Sequence, residues 1–88
     1  MKVSIVGTGY VGLVTGATLA DLGNQVVCLD IAEEKINILN SGKSPIYEPG
    51  LDKLIQQGLK AKNLKGSTEI KQNIRNSDIT SVSYTHLR

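Results

Sequence analysis

At 88 residues the chain suffices for one small domain, and a domain of that size buries only about 60–65% of the surface its unfolded form exposes, so its stability margin is narrow. Ten Lys and Arg against eight Asp and Glu leave a net charge of +2, with the lysines spread along the chain, which argues against a nucleic-acid partner. There is no Phe and no Trp, so the core falls to Val, Ile, Leu and Ala, and the one cysteine, Cys28, cannot form an internal disulfide and fits a reducing, cytoplasmic setting.

Val3 to Val6 is a short apolar run that stops at a glycine and predicts a buried strand. The apolar stretch after Lys2 resembles a signal peptide, but glycines at 7, 9, 12 and 16 break it, and each suits a turn or a close-packed helix better. No run reaches the ~18 apolar residues of a membrane span, so no membrane partner is expected. Val11 to Leu22 carries small and apolar residues at Leu13, Val14, Ala17, Leu19 and Ala20, close to helical spacing, with Gly23 as the stop. Gln25 to Leu29 predicts a second buried strand that ends at Asp30. Cys28 lies inside that strand and is read as a buried structural thiol, not a nucleophile.

Glu33 to Asn40 predicts a helix through Ile36 and Leu39, with Gly42 placed as its C-terminal cap. Ser44 to Gly50 reads as an ordered loop, and Pro49 suits the first position of the next helix, where its missing N–H is no loss. That helix runs to about Ala61 and buries Leu51, Leu54, Ile55 and Leu59. Leu64 to Thr68 is a weaker third strand. Glu69 to Asn76 is a short helix with Ile70 and Ile74 inward, and Asp78-Ile79-Thr80 starts a fourth strand. Strands alternating with helices imply an α/β fold, a partial Rossmann-type doubly wound parallel sheet of three to four strands.

The chemistry lies in Gly7-x-Gly9-x-x-Gly12. Gly7 lets the chain turn sharply out of the strand, Gly9 lets backbone approach a pyrophosphate, and Gly12 lets the helix lie close on the strand. The helix N-terminus then offers N–H groups and a favourable dipole to the phosphates. A glycine triplet alone is a weak signal, but here a strand precedes it, a helix opens within it, and an acid closes the next strand. Asp30 stands 18 positions after Gly12 and 23 after Gly7, near the usual ~20. Its carboxylate can accept hydrogen bonds from the adenosine ribose hydroxyls, and it repels the 2′-phosphate of NADP, so NAD is the expected cofactor. No Arg follows Asp30; Ile31 and Ala32 do. FAD-binding proteins share the turn but usually differ at the acidic position. The bland alternative is a tight strand–helix turn with Asp30 at a helix N-terminus. Lys35, one turn into the second helix, either reaches the adenosine side or is a solvated helix residue. Tyr47 and Glu48 sit in a Pro-bounded loop that is either structural or part of a binding surface. His86 has no partner cluster, so no metal is expected.

Several stretches together resemble the UDP-glucose/GDP-mannose dehydrogenase family: Lys2 to Leu13 with its Gly-x-Gly-Tyr-Val-Gly turn, Leu29-Asp30-Ile31 with Lys35-Ile36, Leu39 to Gly42, and above all Pro45-Ile46-Tyr47-Glu48-Pro49-Gly50-Leu51. The likeness covers residues 1 to about 80 and leans towards the bacterial UDP-glucose-oxidising members. It implies an enzyme that oxidises a sugar-nucleotide alcohol to the carboxylate in two hydride transfers to NAD, with GDP-mannose or a UDP-N-acetylhexosamine as alternative substrates. A stand-alone nucleotide-binding module without catalysis is the other alternative. The resemblance also implies that Tyr10 and Val11 line the cofactor site, that Asp30 binds ribose, and that Lys35 lies near it. The family's catalytic cysteine, lysine and asparagine lie far downstream, and Cys28 does not match that cysteine. The segment alone is therefore expected to be inactive, and the longer enzyme to be a homo-oligomer.

The family pattern continues past Thr80 as an apolar strand into V-G-T-P, whereas this chain reads Ser81-Val82-Ser83-Tyr84-Thr85-His86-Leu87-Arg88. Residues 1–80 are expected to be the N-terminal part of an NAD-binding domain. Residues 81–88 are expected to be a non-native tail that costs the domain its second cofactor-contacting turn, since Val82-Ser83-Tyr84-Thr85-His86-Leu87-Arg88 can be back-translated as the end of a transposon-based sequencing adapter.

Overall fold

The structure, a computed structural model, describes residues 1–44 and 49–82. Four strands, β1 (Lys2–Val6), β2 (Gln25–Leu29), β3 (Leu64–Ser67) and β4 (Ile79–Val82), form one sheet in the order β3-β2-β1-β4, every pair parallel. Four helices connect them: α1 (Tyr10–Asp21), α2 (Glu33–Asn40), α3 (Leu51–Lys60) and α4 (Ile70–Arg75). This is the expected α/β Rossmann-type arrangement. β2 and α2 have the predicted bounds, and the other elements agree to within about two residues.

The register shows why these residues make strands. Leu64, Val26 and Val3 stand side by side across the sheet, as do Gly66, Cys28 and Ile5. Side chains alternate across a strand, so these two rows share one face, and that face carries α1, α2 and α3. A Cβ on Gly16 of α1 would reach Cys28, Val26 and Ile5, one on Gly66 would reach Leu39 and Ile36 of α2, and one on Gly58 of α3 would reach Leu64 and Ala20. The core forms here, from Val3, Ile5, Leu13, Ala17, Ala20, Val26, Cys28, Leu39, Leu51, Ile55 and Leu64, all buried. Gly23 and Gly42, both at positive φ, end α1 and α2 where the glycines predicted a stop.

Two expectations fail. Pro49 is not the first residue of α3: it lies in the turn before Gly50, which takes the left-handed conformation as N-cap, and the helix starts at Leu51. Nor does α4 bury Ile70 and Ile74, the first of which is half-buried. It buries no residue, and Ile74 is exposed. The reason is the opposite sheet face, where fully buried Ser4 donates to the Asn73 carbonyl at 3.2 Å and meets the Ser77 hydroxyl. A buried hydroxyl needs a partner more than the six-residue helix needs an apolar contact. α4 therefore docks on this second face by its polar side.

β4 joins the free edge of β1, with Ser81 opposite Ile5 and Val82 opposite Val6. All four of its residues are exposed, the apolar Ile79 and Val82 included. The loop residues Pro45, Ile46, Tyr47 and Glu48 and the end of the chain from Ser83, His86 included, lie outside the described residues.

Candidate functional site

The chain leaves β1 on one face to reach β2 and arrives at β4 from the other, so the strand order reverses beside β1. A crevice opens at the carboxyl ends of the strands at such a switch point. Gly7 lies there. Its φ of 102° is one that L-residues rarely adopt, and its N–H donates to the Leu29 carbonyl at 2.7 Å, extending the β1–β2 ladder by one bond. The turn is thus tied to the end of β2, where Asp30 begins.

Gly9 is the N-cap of α1. Its carbonyl accepts from the Leu13 N–H at 2.9 Å, no side chain caps the helix, and its first turn holds no acidic residue. The positive end of α1 is left free for an anion. α2, by contrast, carries Glu33 and Glu34 in its first turn. Gly12 is buried, while Tyr10 and Val11 on the same turn are 48% and 59% exposed. One turn later α1 lies close on β2, where a Cβ on Gly16 would stand 2.9 Å from the Cys28 Sγ.

Asp30, half-buried, is held by three donors. Its Oδ2 accepts from the Thr8 N–H at 3.0 Å and the Thr8 hydroxyl at 2.7 Å, and its Oδ1 accepts from the Ala32 N–H at 2.8 Å. Burial pushes its pKa up, but the Ala32 N–H, the Thr8 hydroxyl and N–H, and the nearby Lys35 charge outweigh it and hold the carboxyl below its usual value. Asp30 is therefore an ionised acceptor at neutral pH. Lys35 is exposed on the first turn of α2. Burial pushes the Cys28 thiol up to about 12, so it is inert at neutral pH, as its place in β2 predicts.

The structure thus brings together Gly7, Gly9, Tyr10, Val11, Gly12, Asp30 and Lys35. It adds two residues that the sequence did not single out. Thr8, 2% exposed, grips Asp30 from the turn after β1, and only its hydroxyl between two glycines hinted at this. Ile31, 86% exposed, offers an apolar surface beside the carboxylate; an apolar residue where an Arg might follow the acid was the available signal.

A free helix N-terminus for a pyrophosphate and an ionised carboxylate for a diol fit a dinucleotide. Residues 1–85 match the family model described as the UDP-glucose/GDP-mannose dehydrogenase family, NAD binding domain. The chain belongs to this family. Its NAD-binding domain covers nearly all of the sequence, and NAD is its cofactor. Among curated relatives, the chain is similar to a GDP-mannose 6-dehydrogenase of Pseudomonas syringae pv. syringae, with 44% identity over 93% of the chain and 19% of the relative. It is similar to the UDP-glucose 6-dehydrogenase TuaD of Bacillus subtilis, with 49% identity over 89% of the chain and 17% of the relative. Among solved structures, a ternary complex of GDP-mannose dehydrogenase from Pseudomonas aeruginosa superposes with a TM-score of 0.95 at 40% identity, covering 99% of this chain and 20% of that one. The chain spans about one fifth of the length of these relatives. Relatives named for GDP-mannose and for UDP-glucose both match, so the likeness does not separate these substrates. Among the described residues no helix is long and apolar enough to cross a membrane.

Proposed function

We propose that the crevice at the carboxyl ends of β1 and β2 holds the ADP half of NAD. The pyrophosphate lies on the N-terminus of α1, over Gly7, Gly9 and Gly12 and flanked by Tyr10 and Val11. The adenosine ribose 2′-hydroxyl donates to Asp30, with Lys35 beside it. The observation that carries this reading is Asp30: an ionised, firmly held carboxylate next to a helix end that no side chain caps. The domain serves an enzyme that oxidises the sugar alcohol of a nucleotide sugar to a carboxylate, with UDP-glucose as the proposed substrate, UDP-glucuronate as the product and two NAD reduced per turnover. GDP-mannose is the second reading, because relatives named for it match equally well. NAD supplies the hydride acceptor; the residues described here bind and orient it. The sugar-nucleotide site and the catalytic nucleophile belong to sequence beyond these strands, so the 88-residue chain binds cofactor without turning over substrate. The proposal extends to a cytoplasmic, homo-oligomeric full-length enzyme and to residues 81–88 as a non-native tail.

Titration with NAD by calorimetry tests the site. Hydrogen bonds to a charged group contribute about 1.5–3 kcal/mol each, so Asp30→Ala should weaken NAD about tenfold to a hundredfold. NADP should bind less tightly than NAD to the unaltered chain. Equal NAD affinity in the variant would remove Asp30 from the site.

A further inference from the structure

We propose that Thr8 is a positioning residue for the ribose-binding carboxylate: its hydroxyl locks Asp30 so that Oδ1 faces the ligand. This rests on the proposed NAD site. Any residue but proline at position 8 would give Asp30 its backbone N–H; only the hydroxyl depends on the side chain. That hydroxyl is buried with its residue, 2% exposed, and donates to Asp30 Oδ2 at 2.7 Å. The Thr8 N–H reaches the same oxygen at 3.0 Å, and the Ala32 N–H takes Oδ1 at 2.8 Å.

An ionised carboxylate has about four acceptor positions. Two donors from one residue fill Oδ2, and one donor leaves Oδ1 half open. The open position is the one a ribose hydroxyl can use. With both oxygens fastened, the carboxylate cannot swing away, so a donor is welcomed and a 2′-phosphate meets a charge that does not retreat. Without the Thr8 hydroxyl, Oδ2 keeps only the 3.0 Å N–H bond, and the carboxylate is held less firmly against rotation about Cβ–Cγ. The ligand must then immobilise it on binding, which weakens affinity.

The test compares Thr8→Val, close in shape but lacking the hydroxyl, with Thr8→Ser, which restores it, in calorimetric titrations with NAD and with NAD lacking the adenosine 2′-hydroxyl. Thr8→Val should weaken NAD about tenfold and leave the 2′-deoxy analogue unchanged, while Thr8→Ser should bind both as the unaltered chain does. Thr8→Ala removes the same hydroxyl and serves should the valine variant not fold, with circular dichroism reporting the fold of each. Thr8→Val binding NAD as tightly as the unaltered chain, or weakening both ligands equally, overturns the proposal. Asp30→Ala, run alongside, separates the two levels. If it binds NAD normally, the underlying site is wrong; if it weakens NAD and Thr8→Val does not, only the role of Thr8 is wrong.

Discussion

Gly16 sets how deeply α1 sits on the sheet, and substituting it gives a sharp test of the packing beneath the cofactor turn. A Cβ there would come within 2.9 Å of Cys28 Sγ, closer than real Cβ atoms approach, while Val26 and Ile5 at 3.5 and 3.6 Å are ordinary neighbours. Gly16→Ala therefore meets two opposed effects. Overpacking a tight core costs about 1–3 kcal/mol, and replacing a mid-helix glycine by alanine gains about 1 kcal/mol. The net result should be a loss of about 0–2 kcal/mol. In a Cys28→Ala background the clashing sulfur is gone, and the same substitution should stabilise by about 1 kcal/mol. The double-mutant cycle should thus show a favourable coupling of about 1–3 kcal/mol. Urea unfolding measures it: with a slope of about 1 kcal/mol/M for a small domain, each kcal/mol shifts the midpoint by about 1 M. Additivity within about 0.5 kcal/mol would refute the reasoning, because it would mean that the sulfur does not limit the approach of α1.

Three further outcomes follow from the same geometry. Gly7→Ala should destabilise the chain by at least about 1–2 kcal/mol, because φ is 102° there, and should weaken NAD in the same titration; unchanged stability would show that the turn relaxes. Because the Cys28 thiol is raised from 9.0 to about 12 on folding, the unfolded chain loses that proton first. The thiol's contribution is thus present below about pH 9 and lost as pH rises towards 12, so the unaltered chain should lose stability relative to Cys28→Ala over that range; parallel curves would contradict a buried thiol. Asp30 has the opposite sign. Its folded pKa is lowered, so its contribution is present above the unfolded value of about 3.9 and fades as pH falls through the folded one. In thermal melts without cofactor, Asp30→Asn should flatten that acid limb; an unchanged limb would mean that its three donors do not favour the charged form.

The sequence shows what depends on periodicity and on residues that have few other uses. β1 and β2 are legible because they lie in the middle of a parallel sheet, which favours near-continuous apolar runs, broken in β1 only by Ser4. The turn is legible because Gly7 and Asp30 are spaced by one strand–helix–strand unit. Contacts between distant side chains are not legible. Nothing along the chain pairs Thr8 with Asp30 or Gly16 with Cys28; only the register of β1 against β2 does. α4 misleads for a related reason. Two isoleucines at helical spacing suggest a buried stripe, but the partner face presents Ser4, and the hydroxyl decides which side of the helix docks. Pro49 is displaced because Gly50 at φ 88° can cap α3 in a way no proline can.

Every residue assigned to the cofactor lies between Gly7 and Lys35, within one β1–α1–β2–α2 stretch. That locality explains why relatives named for different sugar nucleotides match alike. Taking a hydride from any of these alcohols needs the same dinucleotide in the same place, and the groups that hold its ADP half need not touch the sugar. The identity to these relatives, spread over 78 to 82 residues, falls within the match to the family's NAD binding domain. The assigned residues stop short of the β4 side of the switch point. β4 itself shows why the division falls there: its four residues are exposed, and α4 reaches β1 through hydroxyls and a carbonyl instead of a core. Substitutions at Ile74 or Ile79 should therefore leave NAD affinity unchanged, whereas those at Gly16 or Cys28, which lie beneath the turn, should alter stability and affinity together. A common loss of affinity in both sets would show that the two sides of the sheet do not act separately.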